Sequence, residues 1–483
     1  MLRTSLLASV PLVLLAAGCS LTPKLTLPQA PVARTYPGAT ALLDASLSGA
    51  ASADPCLDWR RMFGDPRLQR LIELALSNNR DLRIAVSQAR AAQAQLRVAR
   101  SAELPTVAAQ AGYTRQRIPA SVAQTEAAGL EGSGATQSSQ FTTQAALTSF
   151  EIDLFGRLQA QSQAAFERYL ATEAGRQAVR LTLIGTVADA YLARQLADEQ
   201  WVLAESTLAD WQSSLELTRK LQAAGQVGEL DVVQAEGLVR QGEADLEQRR
   251  RERDQATNAL VLAIGADLPS DLPPAIDLMH QPIRTEIAAG LPSRLLLHRP
   301  DIRQAEFQLR AANYDIGAAR AAFFPRLSLT GALGLASPAL GNLFKGANQT
   351  WSFAPQVSVP LFDGQIIGLR AAAQAQQEIA LASYERAIQS AFRDVADGLA
   401  ARATYGRQRA AEAEAVSAAQ RRLTLTRLRY EAGLDSRLEW LDAQRGTYSA
   451  RQALLDVRRA ELSSAIGLYR ALGGDDPGPP ATR

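Results

Sequence analysis

Residues 425–443 read LTRLRYEAGLDSRLEWLDA, and the same landmarks stand 208 positions earlier in residues 217–235, LTRKLQAAGQVGELDVVQA. Both stretches open on Leu-Thr-Arg, carry a glycine at the same place and share a leucine and an alanine after it. A second set of landmarks repeats with a shift of 220, since NRDLR at 79–83 returns as RPDIR at 299–303. Solenoid repeats are only about 20–50 residues long. The chain is therefore predicted to hold two copies of one large module.

The composition excludes several classes of protein. Lys and Arg number 51 against 49 Asp and Glu, which leaves a net charge of +2 over 483 residues. A nucleic-acid-binding protein needs a basic patch, and this even, interspersed balance offers none. Aromatic residues make up only 6%, and long tracts are dominated by Ala, Gln, Leu, Arg and Glu. That bias is typical of long, packed helices.

The N-terminus has the pattern of a secretory signal peptide over residues 1–18. Arg3 precedes the apolar run from Leu6 to Leu15, and small residues lead to Cys19. Small residues directly before a cysteine are similar to a bacterial lipobox, in which the cysteine thiol takes a diacylglycerol and the new N-terminus an acyl chain. Ala16 stands where such motifs usually have leucine. The alternative is ordinary signal cleavage beside an incidental cysteine.

The segment after Cys19 is predicted to be a tether. Residues 19–58 are rich in Pro, Ala, Thr and Ser and show no sustained period. Ser20, rather than Asp, fits sorting to the outer membrane. Cys56 is the only other cysteine, so once Cys19 is acylated no intramolecular disulfide can form.

Alternating residues predict strands long enough to cross a membrane. In residues 351–361, the odd-numbered positions hold Trp, Phe, Pro, Val, Val and Leu, and most even-numbered positions hold small or polar residues. Residues 325–336 alternate likewise, and residues 105–117 and 139–154 are weaker copies. The alternation shifts phase near Ser149, which predicts a bulge there. Segments of this length span a bilayer as tilted strands, so each half contributes one hairpin.

Each predicted hairpin is followed by two unusually long helices. They are expected over residues 157–224 and 229–265 in the first half, and 363–432 and 436–473 in the second. Gly225 and Gly433 stand where a helix C-terminal glycine is expected, and Asp435 and Ser436 can cap the helix that follows. No ordinary globular core needs helices of this length.

Four strands cannot form a closed structure in lipid. They leave two unpaired edges, and each unsatisfied backbone group in hydrocarbon costs several kcal/mol. Bacterial barrels begin at eight strands, and eight strands enclose an interior that side chains just fill. A conducting pore therefore favours three chains and twelve strands.

Over nearly its whole mature length the chain resembles the TolC-like outer-membrane factors of tripartite efflux pumps, in particular the OprM- and NodT-type lipoprotein branch. The residues that carry the resemblance lie in both halves and keep their order: Cys19, Trp59, FGDP at 63–66, NRDL at 79–82, EIDLFGR at 151–157, RPDI at 299–302, FFP at 323–325, PLFDG at 360–364, RYEAG at 429–433 and LDAQR at 441–445.

This resemblance implies a mixed α+β membrane protein that forms a trimer. A 12-stranded outer-membrane β-barrel, with four strands from each chain, would be continued by a long periplasmic α-helical barrel. The first repeat is placed at residues 59–275, the second at 276–474 and a C-terminal tail at 475–483. The resemblance further implies a passive exit duct for small molecules. Its partners would be a periplasmic adaptor, an inner-membrane transporter of the RND type and the lipid of the outer membrane.

The resemblance also assigns a periplasmic gate to residues just after the turn between the last two long helices. On the matching positions, Leu438 and Asp442 would form the constriction, with Arg445 as a partner of Asp442. The first-half equivalents are Leu230 and Gln234, so the acidic position is present in one repeat only. The alternative is that Leu438 packs in a coiled-coil core and Asp442 is an ordinary exposed carboxylate.

Enzyme classes find no support in the sequence. It has no P-loop, no His-Glu-x-x-His and no Gly-x-Ser-x-Gly, and its two histidines, His280 and His298, form no local metal motif. Apart from the lipid on Cys19, no cofactor is expected. The alternative function is a periplasmic coiled-coil lipoprotein scaffold that does not conduct.

Overall fold

The computed structural model describes residues 20–28, 31–33, 58–119, 136–284 and 299–474. The chain divides into two compact units. The first comprises Met1–Pro28, Arg90–Leu170 and Glu306–Ala382, and the second comprises Gln29–Ala89, Ala171–Ala305 and Ser383–Arg483. Each unit draws on both halves of the repeat.

The last five helices and strands of each half follow the same order. The first half holds α1 (Trp59–Met62), α2 (Pro66–Asn78), α3 (Arg80–Ser101), β1 (Val107–Ile118), β2 (Thr136–Ile152), α4 (Arg157–Ala223) and α5 (Glu229–Ile264). The second half holds α6 (Pro300–Ala321), β3 (Arg326–Ser337), β4 (Gln349–Ser358), α7 (Gly364–Glu431) and α8 (Arg437–Ala471). In the described parts of the chain, none of these helices is apolar over a length sufficient to cross a membrane.

The four strands of the first unit form one antiparallel sheet in the order β1-β2-β3-β4. β1 pairs with β2, β2 with β3, and β3 with β4. Within this sheet β1 and β4 therefore each have one unpaired edge. Pro355 lies in β4, and a proline, which has no N–H to donate, is usually confined to edge strands.

The register sorts the side chains of the sheet onto two different faces. The apolar face carries Val107, Ala109, Ala111 and Tyr113 of β1, Phe141, Ala145 and Leu147 of β2, Leu327, Leu329, Leu333 and Leu335 of β3, and Trp351, Phe353, Pro355 and Val357 of β4. The opposite face carries Gln110, Gly112 and Thr114, Gln140, Thr142 and Gln144, Ser328 and Thr330, and Thr350, Ser352 and Gln356. Such a sheet suits a barrel wall with lipid outside and water inside.

The predicted bulge lies at Ser149 and is confirmed. The pairing of β2 with β3 changes register between Leu147 and Phe150, and Ser149 has a φ of 50°. A non-glycine residue rarely adopts this left-handed conformation. The bulge moves Phe150 and Ile152 onto the apolar face, which explains the change of alternation in the sequence.

Two strand ends differ from the prediction by three residues, and the others by one or two. β2 begins at Thr136 rather than near 139, because its polar first residues pair with the end of β1. β4 ends at Ser358 rather than near 361, since Pro360 cannot donate to the ladder.

A short motif connects strand β2 to helix α4. Asp153 accepts hydrogen bonds from the backbone N–H groups of Arg157 (2.8 Å) and Gln159 (2.9 Å), which caps α4. The guanidinium of Arg157 donates two bonds to Glu151, at 2.9 and 2.6 Å. Gly156 has a φ of 72°, a conformation that glycine adopts without strain. The sequence EIDLFGR is therefore a strand-to-helix corner.

The second unit holds the main hydrophobic core. It contains Trp59, Phe63, Leu68, Ile72, Ile184, Tyr191, Leu260, Leu278, Ile466 and Tyr469, all at most 2% exposed. Asp65 is wholly buried here, caps α2 through the N–H of Arg67 (2.8 Å) and accepts a bond from the hydroxyl of Tyr191 (2.7 Å). Pro66 occupies the first turn of the helix.

Candidate functional site

A tight turn joins α7 to α8 and places the predicted gate residues. Gly433 has a φ of 73°, and the N–H of Leu434 bonds back to the carbonyl of Arg429 at 2.8 Å. Ser436 caps α8 by accepting from the N–H of Glu439. The predicted cap at Ser436 is confirmed. Asp435 instead accepts two bonds of 2.8 Å from Arg429, which holds the turn closed.

Leu438 and Asp442 lie one helical turn apart on the same face of α8. Leu438 is 53% exposed and the side chain of Asp442 is 48% exposed. Leu438 is thus not buried within its own chain. Its face is available to the lumen of an assembly or to another chain.

Asp442 joins two arginines. Its Oδ2 accepts from Arg422 of α7 at 2.6 Å, and its Oδ1 accepts from Arg445, the predicted partner, at 3.3 Å. Arg422 also lies 3.8 Å from Glu439. The hydrogen bond from Arg422 is the largest cause that lowers the pKa of Asp442, and Arg445 adds to it. We call Leu438, Asp442, Arg445 and Arg422 the gate cluster.

Arg422 was not predicted from the sequence, although a signal was available. Antiparallel helices joined by a tight turn bring together residues at equal distances from it. Arg422 and Asp442 lie ten positions on either side of residue 432. Of the two arginines, Arg422 is the one that links α7 to α8, because Arg445 lies on the same helix as Asp442.

The opposite face of α8 is fixed by a buried arginine. Arg437 is 3% exposed, lies over the ring of Trp440 at 4.0 Å and donates to the carbonyl oxygen of Ser214 at 3.1 Å. It also donates to the hydroxyl of Ser214. Burial lowers the pKa of Arg437. This contact ties the second helical hairpin to α4 and so orients the exposed face that bears the gate cluster.

The corresponding turn of the first repeat has the same backbone but different side chains. Gly225 has a φ of 72°, and Asp231 accepts from the N–H of Gly228 at 3.2 Å. Leu230 is 69% exposed, and Gln234 stands where Asp442 stands in the second repeat. Only the second turn therefore carries a carboxylate that can accept ion pairs at this position.

The N-terminal segment lies on helix α6 within the first unit. The side chain of Asn313 donates to the carbonyl of Pro23 at 2.8 Å. A Cβ added to Gly317 would meet the hydroxyl oxygen of Thr22 and would lie 2.9 Å from its Cα. From Pro23 back to Thr22, the segment thus runs along α6 towards the C-terminal end of this helix and the start of β3. Cys19 and Cys56 lie outside the described residues, as does His298.

The described residues contain no cluster of His, Cys, Asp and Glu that could hold a metal ion. His280 bonds to Asp277 of the same turn. The candidate functional regions are therefore the gate cluster, the polar face of the sheet and the N-terminal segment.

Comparisons with known proteins agree on one family. A profile of the family described as outer membrane efflux protein matches residues 71–266 and 291–474. The chain is 40% identical over 471 residues to the probable efflux pump outer membrane protein TtgC of Pseudomonas putida, a match that covers 97% of this chain and 95% of that protein. It is 40% identical over 460 residues to outer membrane protein OprJ of Pseudomonas aeruginosa, covering 94% and 93%.

Solved structures agree. The MtrE outer membrane channel of Neisseria gonorrhoeae, solved in its open state, superposes with a TM-score of 0.84 at 37% identity and covers 95% of this chain and 98% of that one. The outer-membrane channel OprN superposes with a TM-score of 0.83 at 30% identity, covering 94% and 99%.

The depressed pKa of Asp442 predicts how the gate cluster responds to acid. A carboxyl whose pKa is lowered in the folded state stabilises that state above the ordinary Asp value of about 3.9, and the contribution is lost as pH falls through the depressed value. Conductance in planar bilayers should therefore stay constant from neutral pH down to about pH 4 and rise only below it. In Arg422→Ala the rise should move to higher pH, because the largest cause of the shift is removed.

Arg427→Ala is the matched control for this titration. Arg427 forms an exposed ion pair with Glu431 of its own helix at 3.6 Å, so its loss should leave the profile unchanged. Identical profiles for Arg422→Ala and the wild type would contradict the assignment of Arg422 to the gate cluster.

Proposed function

We propose, from the premise that this chain belongs to the outer membrane efflux protein family, that it forms a passive exit duct closed at the turn between α7 and α8. The chain is the outer-membrane component of an efflux system, and its helices extend into the periplasm. We propose in addition how the duct works, where its gate lies, how the chain is anchored and which partners it binds.

The predicted fold class is confirmed. The chain has the fold of the outer-membrane efflux channels, in which a β-barrel is continued by an α-helical barrel, and it supplies four strands. A scaffold that does not conduct loses its support, since the solved relatives are channels.

Three copies would close the barrel and enclose a wet lumen. The sheet has two open edges, which hydrocarbon penalises, and three sheets give the twelve strands that a conducting pore favours. The polar face, with Gln110, Thr142, Gln144 and Ser352, would then line the lumen. Passive movement through such a lumen would need no catalytic step in this chain.

The gate cluster would narrow the periplasmic end. Three Leu438 side chains, one from each chain, would form an apolar ring, with Asp442 one turn further along α8. Three carboxylates that converge on an axis repel one another, so closure depends on the arginines that neutralise them. Arg422 is the main such group because it joins α7 to α8 at 2.6 Å. A partner that competes for Arg422 or Asp442 would favour opening.

The helical turns offer surface to a periplasmic adaptor. Leu434 is 68% exposed, Leu230 is 69% exposed and Val233 is 55% exposed, and they lie at or beside the two turns. Exposed apolar residues grouped in this way mark interaction sites. An adaptor that binds here would connect the duct to an inner-membrane transporter of the RND type.

Cys19 would carry the lipid anchor. Thr22 and Pro23 are already placed on α6, and three residues of extended chain span at most about 11 Å. Just beyond the end of α6, Phe324 stacks on Phe155 with ring centroids 4.8 Å apart. Aromatic residues favour the boundary between lipid and water. Acyl chains on Cys19 would there enter the inner leaflet of the outer membrane.

The gate is tested by conductance. In Leu438→Ala/Asp442→Ala, single-channel conductance in planar bilayers should rise severalfold, and cells should admit larger antibiotics, because the apolar ring and its carboxylates are gone. Arg422→Ala and Arg445→Ala should each give a smaller rise, since an exposed ion pair shifts an equilibrium by at most about fivefold. Arg422→Ala should have the larger effect, because its bond is shorter and joins two helices.

The first repeat provides the control for the gate. Leu230→Ala removes an exposed leucine at the matching turn without touching the ion pairs, so it should change conductance less than Leu438→Ala. An unchanged conductance in the double variant, with the trimer intact by mass, would return both residues to helix packing and surface charge.

The anchor is tested by mass spectrometry of the N-terminal peptide. Lys24 is the first tryptic site after Cys19, so complete digestion should release residues 19–24 with the acyl chains attached, and Cys19→Ser should abolish that product. Wild-type protein without an acylated peptide would contradict the anchor.

The placement of the segment is tested on the native protein. Gly317→Val should displace Thr22 and speed cleavage after Lys24, whereas Gly368→Val should not, since a Cβ on Gly368 meets no atom within 4 Å. Equal cleavage rates in the two variants would mean that the contact with α6 does not hold the segment.

A further inference from the structure

The apolar face of the sheet carries two charges, both at one end of β1. Among the described strand residues on that face, the charged ones are Arg115 and Arg117. They follow Tyr113 at alternate positions and are exposed. Charged side chains on the lipid face of a barrel are costly at the membrane midplane and tolerated near its surfaces. Their position along the strand therefore decides whether the two arginines contact lipid tails or lipid headgroups.

The apolar band ends just below these arginines. On β2 it runs from Phe141 to Ile152, which is about 33 Å along the strand after allowance for the bulge. At a tilt of about 40° this is about 25 Å in height, the height of the apolar band of an outer-membrane barrel. Tyr113 and Phe141, whose ring centroids are 4.5 Å apart, mark its upper boundary. Arg115 and Arg117 lie about 7 and 14 Å beyond Tyr113 along the strand.

This boundary faces the cell exterior. The opposite ends of the strands lead into α4 and α7, which extend into the periplasm in this family. The two arginines are therefore level with the headgroups of the outer leaflet, which in bacteria that possess an outer membrane consists of a phosphorylated glycolipid, lipid A with its sugars.

The described residues offer the arginines no charged partner. Arg115 donates to the neutral side chain of Gln137 at 3.2 Å, and no carboxylate of the described residues forms an ion pair with either arginine. The free edge of β1 would meet β4 of the next chain in a closed barrel. The segment before β4, residues 338–348, contains Lys345 and no Asp or Glu.

We propose that Arg115 and Arg117 form a binding site, one per chain, for the phosphate groups of lipid A in the outer leaflet. A guanidinium presents paired N–H donors that fit two phosphate oxygens, and alternate residues of a strand point to the same side. Lys345 adds positive charge on the strand-connecting segment beside β4. The site would hold an annular lipid at the β1–β4 junction between chains.

Native mass spectrometry of the detergent-solubilised trimer, titrated with lipid A bearing two phosphates, tests this site. The wild type should bind one tight lipid A per chain. Each cation near an anionic membrane surface contributes roughly a fivefold gain in affinity, so Arg115→Gln/Arg117→Gln should weaken binding about twentyfold or more. Arg115→Lys/Arg117→Lys should lose less, because the charge remains.

The matched control is Arg326→Gln, which removes an exposed arginine from the other face and the other end of the same sheet. It should bind lipid A like the wild type. Monophosphoryl lipid A should bind more weakly than the diphosphoryl form, and excess inorganic phosphate should not displace the lipid. The same spectra report the trimer mass, and the lysine variant tests the site even if the glutamine variant fails to assemble.

Two results would overturn the proposal. Equal lipid A affinity in the wild type and in Arg115→Gln/Arg117→Gln would show that the two arginines do not hold the lipid. Displacement by inorganic phosphate would identify a free-anion site rather than a lipid site.

Discussion

A backbone N–H or C=O group in hydrocarbon must find its hydrogen-bond partner within the protein, and this constraint governs the chain. Its four strands pair with one another through three ladders and leave the outer edges of β1 and β4 open. No side-chain contact can compensate for a row of unpaired backbone groups. The sheet becomes stable in a membrane only when β1 meets β4 of another copy. Trimer formation is thus part of folding for this protein, and the polar face becomes the lining of a duct as a result.

The duplication provides two hairpins per chain, and the two helical turns share a backbone conformation but differ in their side chains. Gly225 and Gly433 give both turns the same left-handed backbone. Only the second turn has Asp442, and only there does an arginine of the preceding helix, Arg422, meet a carboxylate at this position. The proposed gate, with three carboxylates in place of six, would need fewer ion pairs for closure, and its opening would involve the second helical hairpin.

Features set by local chemistry were predictable from the sequence. The glycines at 225 and 433, the Ser436 cap and the bulge at Ser149 each depend on residues close by, and the structure places each where it is predicted. The ends of β2 and β4 were less accurate, because pairing with β1 extends a polar segment and Pro360 stops a strand that alternation alone would continue. Arg437 was missed because its partner Ser214 lies 223 positions away. Arg422 was missed because its pairing with Asp442 follows from their equal distance to the turn and not from helical periodicity. Such contacts depend on how helices pack, which periodicity does not encode.

Disulfide cross-linking between the edge strands tests the central claim most directly. A cysteine at Ala109 of β1 would be combined, in a Cys56→Ser background, with single cysteines along β4 from Trp351 to Val357. If the barrel closes between copies, cross-linked dimers and trimers should form in the membrane. Their yield should alternate with a period of two residues along β4, because only cysteines on the same face can meet. Cross-links confined within single chains, or none at any β4 position while the protein remains in the membrane, would contradict closure between copies.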